Sequence, residues 1–150
     1  MSRLEDVDYF LTAGHIWPCT FEATPNHPFM KALRAVLLRL PEEVFCEIEG
    51  CTQFIVEAHQ AFAFNVPFKL VYPGHCSNPK FRLDTIIVYE RSFRLCHESF
   101  VALLAHEIAH SVIEKSDHFE NEDAADKIVV SWGFDKELAQ LHKEKKQLDS

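Results

Sequence analysis

The sequence has few glycines, no CxxC pair and no apolar run long enough to span a membrane. Only four of its 150 residues are glycine, and no repeat or linker divides the chain, which predicts one domain over residues 1–150. Its five cysteines are odd in number, so we expect reduced thiols rather than a disulfide framework. The N-terminus carries acids where a signal peptide would have an apolar core. These absences favour a cytoplasmic protein.

Concentrated positive charge is also lacking. The formal net charge is −8 and the pI is near 5.5. Lysine and arginine are scattered, apart from the segment HKEKK near the C-terminus, so no basic stripe is available to bind phosphates. We therefore expect neither nucleic acid nor a membrane as a partner, whereas the sequence leaves the oligomeric state open.

Residues 26–50 show the spacing of apolar residues that is typical of helices. In NHPFMKALRAVLLRLP, Asn26 is expected to cap a helix whose first turn contains Pro28. Its apolar residues recur on one face and predict a buried stripe: Phe29, Leu33, Val36, Leu37 and Leu40. The following segment PEEVFCEIE predicts a second short helix that Gly50 ends.

After Gly50 the apolar residues no longer recur with the spacing of a helix. The segments TQFIVEA, AFAFNV, FKLVYP and DTIIVY are short, rich in β-branched and aromatic residues, and predict three or four strands. Helical spacing returns at Cys96, with interruptions near Ser116 and at Gly133. This order predicts an α+β domain with a small mixed sheet, and with the N-terminal and C-terminal helices on one face.

Leu104 to Val130 contains a candidate metal site in the sequence LAHEIAHSVIEKSDHFENEDAADKIVV. His106 and His110 lie four positions apart on a predicted helix, so both imidazoles project from one face and can share a tetrahedral ion. Glu107 lies beside that ion, where a carboxylate can take a proton from a water and pass it to a leaving group. The pattern HExxH therefore predicts zinc with a general base.

A third ligand is expected because catalytic zinc normally takes three protein ligands. Glu122 begins the segment EDAAD, in which small Ala125 would allow close helix packing and Asp126 could accept the free N–H of a ligand histidine. The rivals in the intervening loop stay open: Asp117, His118 and Glu120. A metzincin pattern is excluded, because Ile113 and Ser116 occupy the positions of its glycine and third histidine.

At these positions the sequence resembles the gluzincin peptidases, which join an HExxH helix to a glutamate in a following ExxAD helix. The resemblance covers residues of about 82 to 132, and the small size is similar to minigluzincins and ImmA/IrrE-like peptidases. It implies a zincin-like fold, one zinc per chain on His106, His110 and Glu122, Glu107 as general base, and Asp126 as the outer partner of a ligand. It also implies a peptide or protein substrate, held antiparallel to an edge strand at DTIIVYERSF.

Gluzincins usually add a Tyr or His that stabilises the oxyanion. The candidates are Tyr72, Tyr89, His75, His97 and His118, of which His118, between the two metal helices, is favoured. The predicted function is a zinc-dependent peptidase, with a catalytically silent binding or regulatory protein as the alternative. Residues 1–25 contain HIWPCTFE, so His15 or Cys19 in this segment could cover the zinc and keep the enzyme latent. The alternative is that this segment only packs against the sheet.

Overall fold

The computed structural model describes residues 2–12, 16–18, 24–57, 63–68, 83–112 and 122–149. Its elements, in chain order, are α1 (Arg3–Thr12), β1 (Ile16–Pro18), α2 (Pro28–Arg39), α3 (Glu42–Cys51), β2 (Thr52–Glu57), β3 (Ala63–Phe68), β4 (Leu83–Tyr89), a 3-10 turn (Glu90–Arg94), α4 (His97–Val112), α5 (Glu122–Ser131) and α6 (Asp135–Asp149). None of the helices in these ranges combines the length and the hydropathy needed to cross a membrane.

Helix α4 is the centre of the described structure. Every residue from Ser99 to His110 is buried, because α4 packs against α2, α5 and α6 and also touches β3 and β4. A helix surrounded in this way needs apolar side chains around most of its circumference, and the segment SFVALLA provides them. The two histidines of the HExxH motif are thus placed on the most enclosed helix of the described chain.

The predicted fold class, a zincin-like α+β domain arranged around a small mixed sheet, is wrong. Helical residues far outnumber strand residues in the described chain. Helices also provide nearly all of the buried apolar side chains, whereas the described strands contribute only four: Phe54, Ile86, Val88 and Tyr89. The described part of the chain is therefore mostly helical, with helices packed on helices around α4 and not gathered on one face of a sheet.

The strands of this minor sheet are ordered β1-β2-β4-β3. β1, β2 and β4 are parallel, and β3 runs antiparallel to β4, with Phe54 of β2 and Asn65 of β3 on either side of Ile86. β4 therefore lies inside the sheet, and the prediction that DTIIVY is a substrate-binding edge strand is wrong. Among the described strands, β3 lies at one end of the sheet and β1 at the other. Proline has no N–H to donate to a ladder, so Pro67 suits an end strand such as β3 better than an interior one. Most of the predicted strand FKLVYP falls outside the described residues.

Two predicted helix boundaries also change. His27, not Asn26, caps α2: its extended backbone precedes Pro28, and its Nδ1 accepts a hydrogen bond from the N–H of Phe29 at 3.1 Å. Gly50 does not end α3, which continues to Cys51 and runs directly into β2. The predicted stripe on α2 is confirmed, since all five of its apolar residues are buried.

Arg39 fixes the turn between α5 and α6 to the end of α2. Its guanidinium donates to the carbonyl of Gly133 at 2.8 Å, pairs with Glu137 at 2.7 Å and lies 4.1 Å from the ring centre of Phe134. Gly133 has a φ of 92°, a left-handed conformation that suits glycine at a helix end. These contacts hold α5 in place, and α5 carries Glu122.

Candidate metal centre

The two histidines of the motif lie side by side on α4. His106 and His110 are 8% and 6% exposed, and their rings meet edge to face with 4.7 Å between centroids. One helical turn separates them, so both Nε2 atoms reach the same point beside the helix. Burying two polar rings is costly unless each has a partner. The partners lie on α5.

Glu122, the first residue of α5, completes a group of three donors. Its Oε2 lies 2.6 Å from Nε2 of His106, its Oε1 lies 3.3 Å from Nε2 of His110, and the two Nε2 atoms are 3.1 Å apart. Tetrahedral zinc with Zn–N bonds of about 2.0–2.1 Å separates its donors by about 3.3 Å. The three side chains could therefore hold a metal ion, although that of Glu122 is largely exposed.

The hydrogen bonding of His106 explains why a cation fits this group. Nδ1 of His106 lies 2.8 Å from Oδ1 of Asp126, and a carboxylate only accepts, so we assign the proton to Nδ1. Nε2 then carries a lone pair and faces a carboxylate oxygen and a second imidazole nitrogen. With both Nε2 atoms unprotonated, two nitrogen lone pairs and a carboxylate oxygen point at one place, which a divalent cation can occupy. The donor set of two imidazoles and one carboxylate suits zinc.

Glu107 is buried next to the three donors and is 6% exposed. The pKa of Glu107 is raised from 4.5 to about 7. Burial is the main cause; the negative charge of Glu122 acts in the same direction, and positive charge on a protonated His106 and on Lys145 acts against it. A carboxyl group with a pKa near neutrality can both accept and return a proton at physiological pH. A cation bound to the neighbouring ligands would lower the pKa of Glu107 again.

Helix α5 brings the other predicted residues together. Ala125 is fully buried, as expected for a small residue between two close helices, and α5 packs against α4. Asp126, one turn after Glu122, reaches His106 as the outer partner that the spacing predicted. The structure thus places His106, Glu107, His110, Glu122 and Asp126 in one cluster.

Sequence reasoning missed the contribution of α6. His142 places its Nε2 3.3 Å from Oδ2 of Asp126, and the charge of Lys145, one turn further on, acts on Glu107. The sequence predicted only that the C-terminal helices pack on one face of the sheet. The signal was the spacing of two basic residues at i and i+3, which puts both on one face, but such spacing is common on solvated helices.

Of the predicted oxyanion candidates, the structure describes only His97 and Tyr89. His97 begins α4, nine residues and so about 13 Å along the helix axis before His106. Tyr89 is buried at the end of β4. The other candidates lie outside the described residues: the oxyanion candidates Tyr72, His75 and His118, the rival ligands Asp117 and Glu120, and His15 and Cys19 of the covering segment. The described part of residues 1–25 forms α1, which packs on α2, and β1, which pairs with β2.

Comparison with family models, with curated proteins and with solved structures finds no match to the chain. The resemblance to the gluzincin peptidases therefore stays a prediction, carried by the residues of this site.

Proposed function

We propose that the protein is a zinc-dependent peptidase whose zinc is held by His106, His110 and Glu122. The observation that carries the proposal is the convergence of these three donors beside a buried carboxyl, Glu107. A purely structural metal site has no use for a buried carboxyl at that place, because burying it costs stability. A proton acceptor beside a cation does fit hydrolysis.

In the proposed reaction, bound zinc supplies positive charge that makes a water more acidic and polarises the carbonyl of the substrate. Glu107 takes a proton from the attacking water as the oxygen of that water bonds to the carbonyl carbon. The C–N bond then breaks, and Glu107 returns the proton to the leaving nitrogen. Asp126 holds the Nδ1 proton of His106, which keeps Nε2 free to act as a ligand.

The substrate class rests on the position of β3. This strand is one of the two end strands of the described sheet, and it is the one that lies against α4, the helix of the two histidines. An end strand can offer its backbone N–H and C=O groups to an extended chain, which makes a peptide the matching substrate. In the proposal β3 takes the role that the sequence had assigned to DTIIVY.

Digestion of a broad peptide library tests the activity. Wild-type protein loaded with zinc is compared with Glu107→Gln, which keeps the size of the side chain and the three ligands but cannot take a proton. We expect cleavage by the wild type and a loss of at least about 100-fold in the variant, the scale of general-base catalysis. Equal cleavage by both proteins would remove Glu107 from the mechanism. Zinc binding without cleavage by the wild type would favour a binding or regulatory protein.

A further inference from the structure

Helix α6 presents basic side chains to the acidic residues around the metal centre. Nε2 of His142 lies 3.3 Å from Oδ2 of Asp126. The other oxygen of the same carboxylate, Oδ1, lies 2.8 Å from Nδ1 of His106. The carboxylate of Asp126 thus lies between a predicted metal ligand on α4 and a histidine on α6.

We infer that His142 is a positioning residue for the metal ligand His106 and acts through the carboxylate of Asp126. The inference rests on the proposed function in one respect, the binding of a metal by His106. It does not require that the protein cleave peptides. It adds a third helix, α6, to the two helices that the HExxH and ExxAD segments supply.

The contact matters because Asp126 is not enclosed. Its side chain is 26% exposed, so packing alone does not fix the rotation of its carboxylate. A second contact at Oδ2 restricts that rotation and keeps Oδ1 directed at His106. The orientation of the His106 ring, and the proton on its Nδ1, depend in turn on Oδ1. Loss of the contact from His142 would therefore leave His106 less well oriented as a metal ligand.

Helix α6 is held firmly enough to act in this way. Two residues beyond His142, the carboxylate of Glu144 accepts a hydrogen bond from the backbone N–H of Cys96 at 2.7 Å, just before α4 begins. On the inner side of α6, Leu138 and Leu141 are buried at 6% and 2% exposure. These contacts fix α6 against α4, and so fix the position of His142 relative to His106.

The expected effect is moderate. Removal of the outer partner of a metal-binding histidine typically weakens metal binding by about 10- to 100-fold. His142 acts one residue further out, and its side chain is 54% exposed, so water competes for Asp126. We expect His142→Ala to weaken zinc binding by about 3- to 10-fold, below the range for a direct partner.

Zinc affinity of the full-length chain, measured by competition with a chromophoric chelator, tests the inference. His142→Ala is compared with wild type, with His142→Gln, whose amide can still donate to Asp126, and with Lys143→Ala at the exposed neighbouring position on α6. We expect zinc to bind more weakly to His142→Ala. His142→Gln and Lys143→Ala should bind zinc within about twofold of wild type, a difference smaller than the loss expected when an outer partner is removed. Thermal unfolding of the chelated proteins checks that all of them fold.

A double-mutant cycle with Asp126→Ala separates positioning from a general effect on the fold. If His142 acts through Asp126, then His142→Ala costs nothing further once Asp126 is removed. The absorption spectrum of the cobalt-loaded protein should also change in His142→Ala and not in Lys143→Ala, because it reports the geometry around the ion.

The outcomes are distinct from those of the peptidase test. Equal zinc affinity in His142→Ala and Lys143→Ala would overturn the role of His142 and leave the proposed function standing. An undiminished effect of His142→Ala in the Asp126→Ala background would also overturn it. Zinc binding with the expected order of variants, but with no peptide cleavage, would support His142 and reject the peptidase. A wild-type chain that binds no zinc would reject both.

Discussion

The buried carboxyl of Glu107 should make the metal-free protein less stable as the pH rises. Burial raises the pKa of Glu107 from 4.5 to about 7 in the folded protein. Between these two values the folded protein keeps a proton that the unfolded chain has lost, so the free energy of unfolding falls with increasing pH. The stabilising contribution is fully present below 4.5 and is lost by the time the pH has passed through about 7.

The magnitude follows from the same two values. One pKa unit corresponds to about 1.4 kcal/mol, so the complete change is about 3 kcal/mol. Part of it has already occurred at pH 5, and the change between pH 5 and pH 8 is about 2 to 3 kcal/mol. For comparison, a domain of this size is stable by about 5 to 15 kcal/mol. The effect is therefore large enough to measure.

Urea unfolding of chelator-treated wild type and Glu107→Gln at pH 5 and pH 8 isolates this contribution. The contributions of the other titrating groups are the same in both proteins and cancel when the two free energies of unfolding are subtracted. An effect of the amide that does not depend on pH cancels when the differences at pH 5 and pH 8 are compared. We expect the stability of Glu107→Gln relative to wild type to increase by about 2 to 3 kcal/mol between the two pH values. The same pH dependence in both proteins would show that Glu107 is not desolvated as the structure has it.

Zinc content and the α5–α6 turn give two further predictions. His106→Ala, His110→Ala and Glu122→Ala should each weaken zinc binding strongly, whereas wild type retains about one zinc per chain; elemental analysis of the purified proteins measures this. Gly133→Ala should lower stability by about 1–2 kcal/mol in thermal unfolding, because a Cβ at a φ of 92° is strained even though it would meet no atom within 4 Å.

Each of these predictions has a clear contrary result. Full zinc retention in Glu122→Ala would move the third ligand to another carboxylate or histidine, and the intervening loop offers candidates of both kinds. Wild-type stability of Gly133→Ala would mean that the turn between α5 and α6 can adopt another conformation at little cost.

The cluster of polar residues could be predicted from the sequence because helical spacing alone determines it. Residues four apart on a helix share a face whatever the fold around them, which places His106 beside His110 and Glu122 beside Asp126. Only the approach of α5 to α4 had to be assumed, and small Ala125 was a local sign of it. The role of each residue in binding zinc stays a prediction.

Less of the fold could be predicted from the sequence, because the fold depends on packing between residues far apart in the chain. Short runs of β-branched and aromatic residues predicted strands, and strands formed at three of them, but local patterns do not reveal strand order. In the structure β4 is an interior strand, and the end strand beside it is β3. The apolar residues around most of α4 do indicate a buried helix, but the pattern does not show that α2, α5 and α6 are the helices that enclose it. The contact from His142 to Asp126 was missed for the same reason.

The arrangement of helices also explains how a small chain can hold three donors in position. The backbone positions of His106 and His110 are fixed by α4, because that helix is buried along most of its length, and Asp126 on α5 orients the ring of His106. Glu122 is different, since it begins a separate helix and its side chain is 71% exposed. Its position depends on the turn that Arg39 holds at the other end of α5. The geometry of the centre is therefore set by helix packing, and the exposed third donor is the part of the centre that depends most on contacts made far from it.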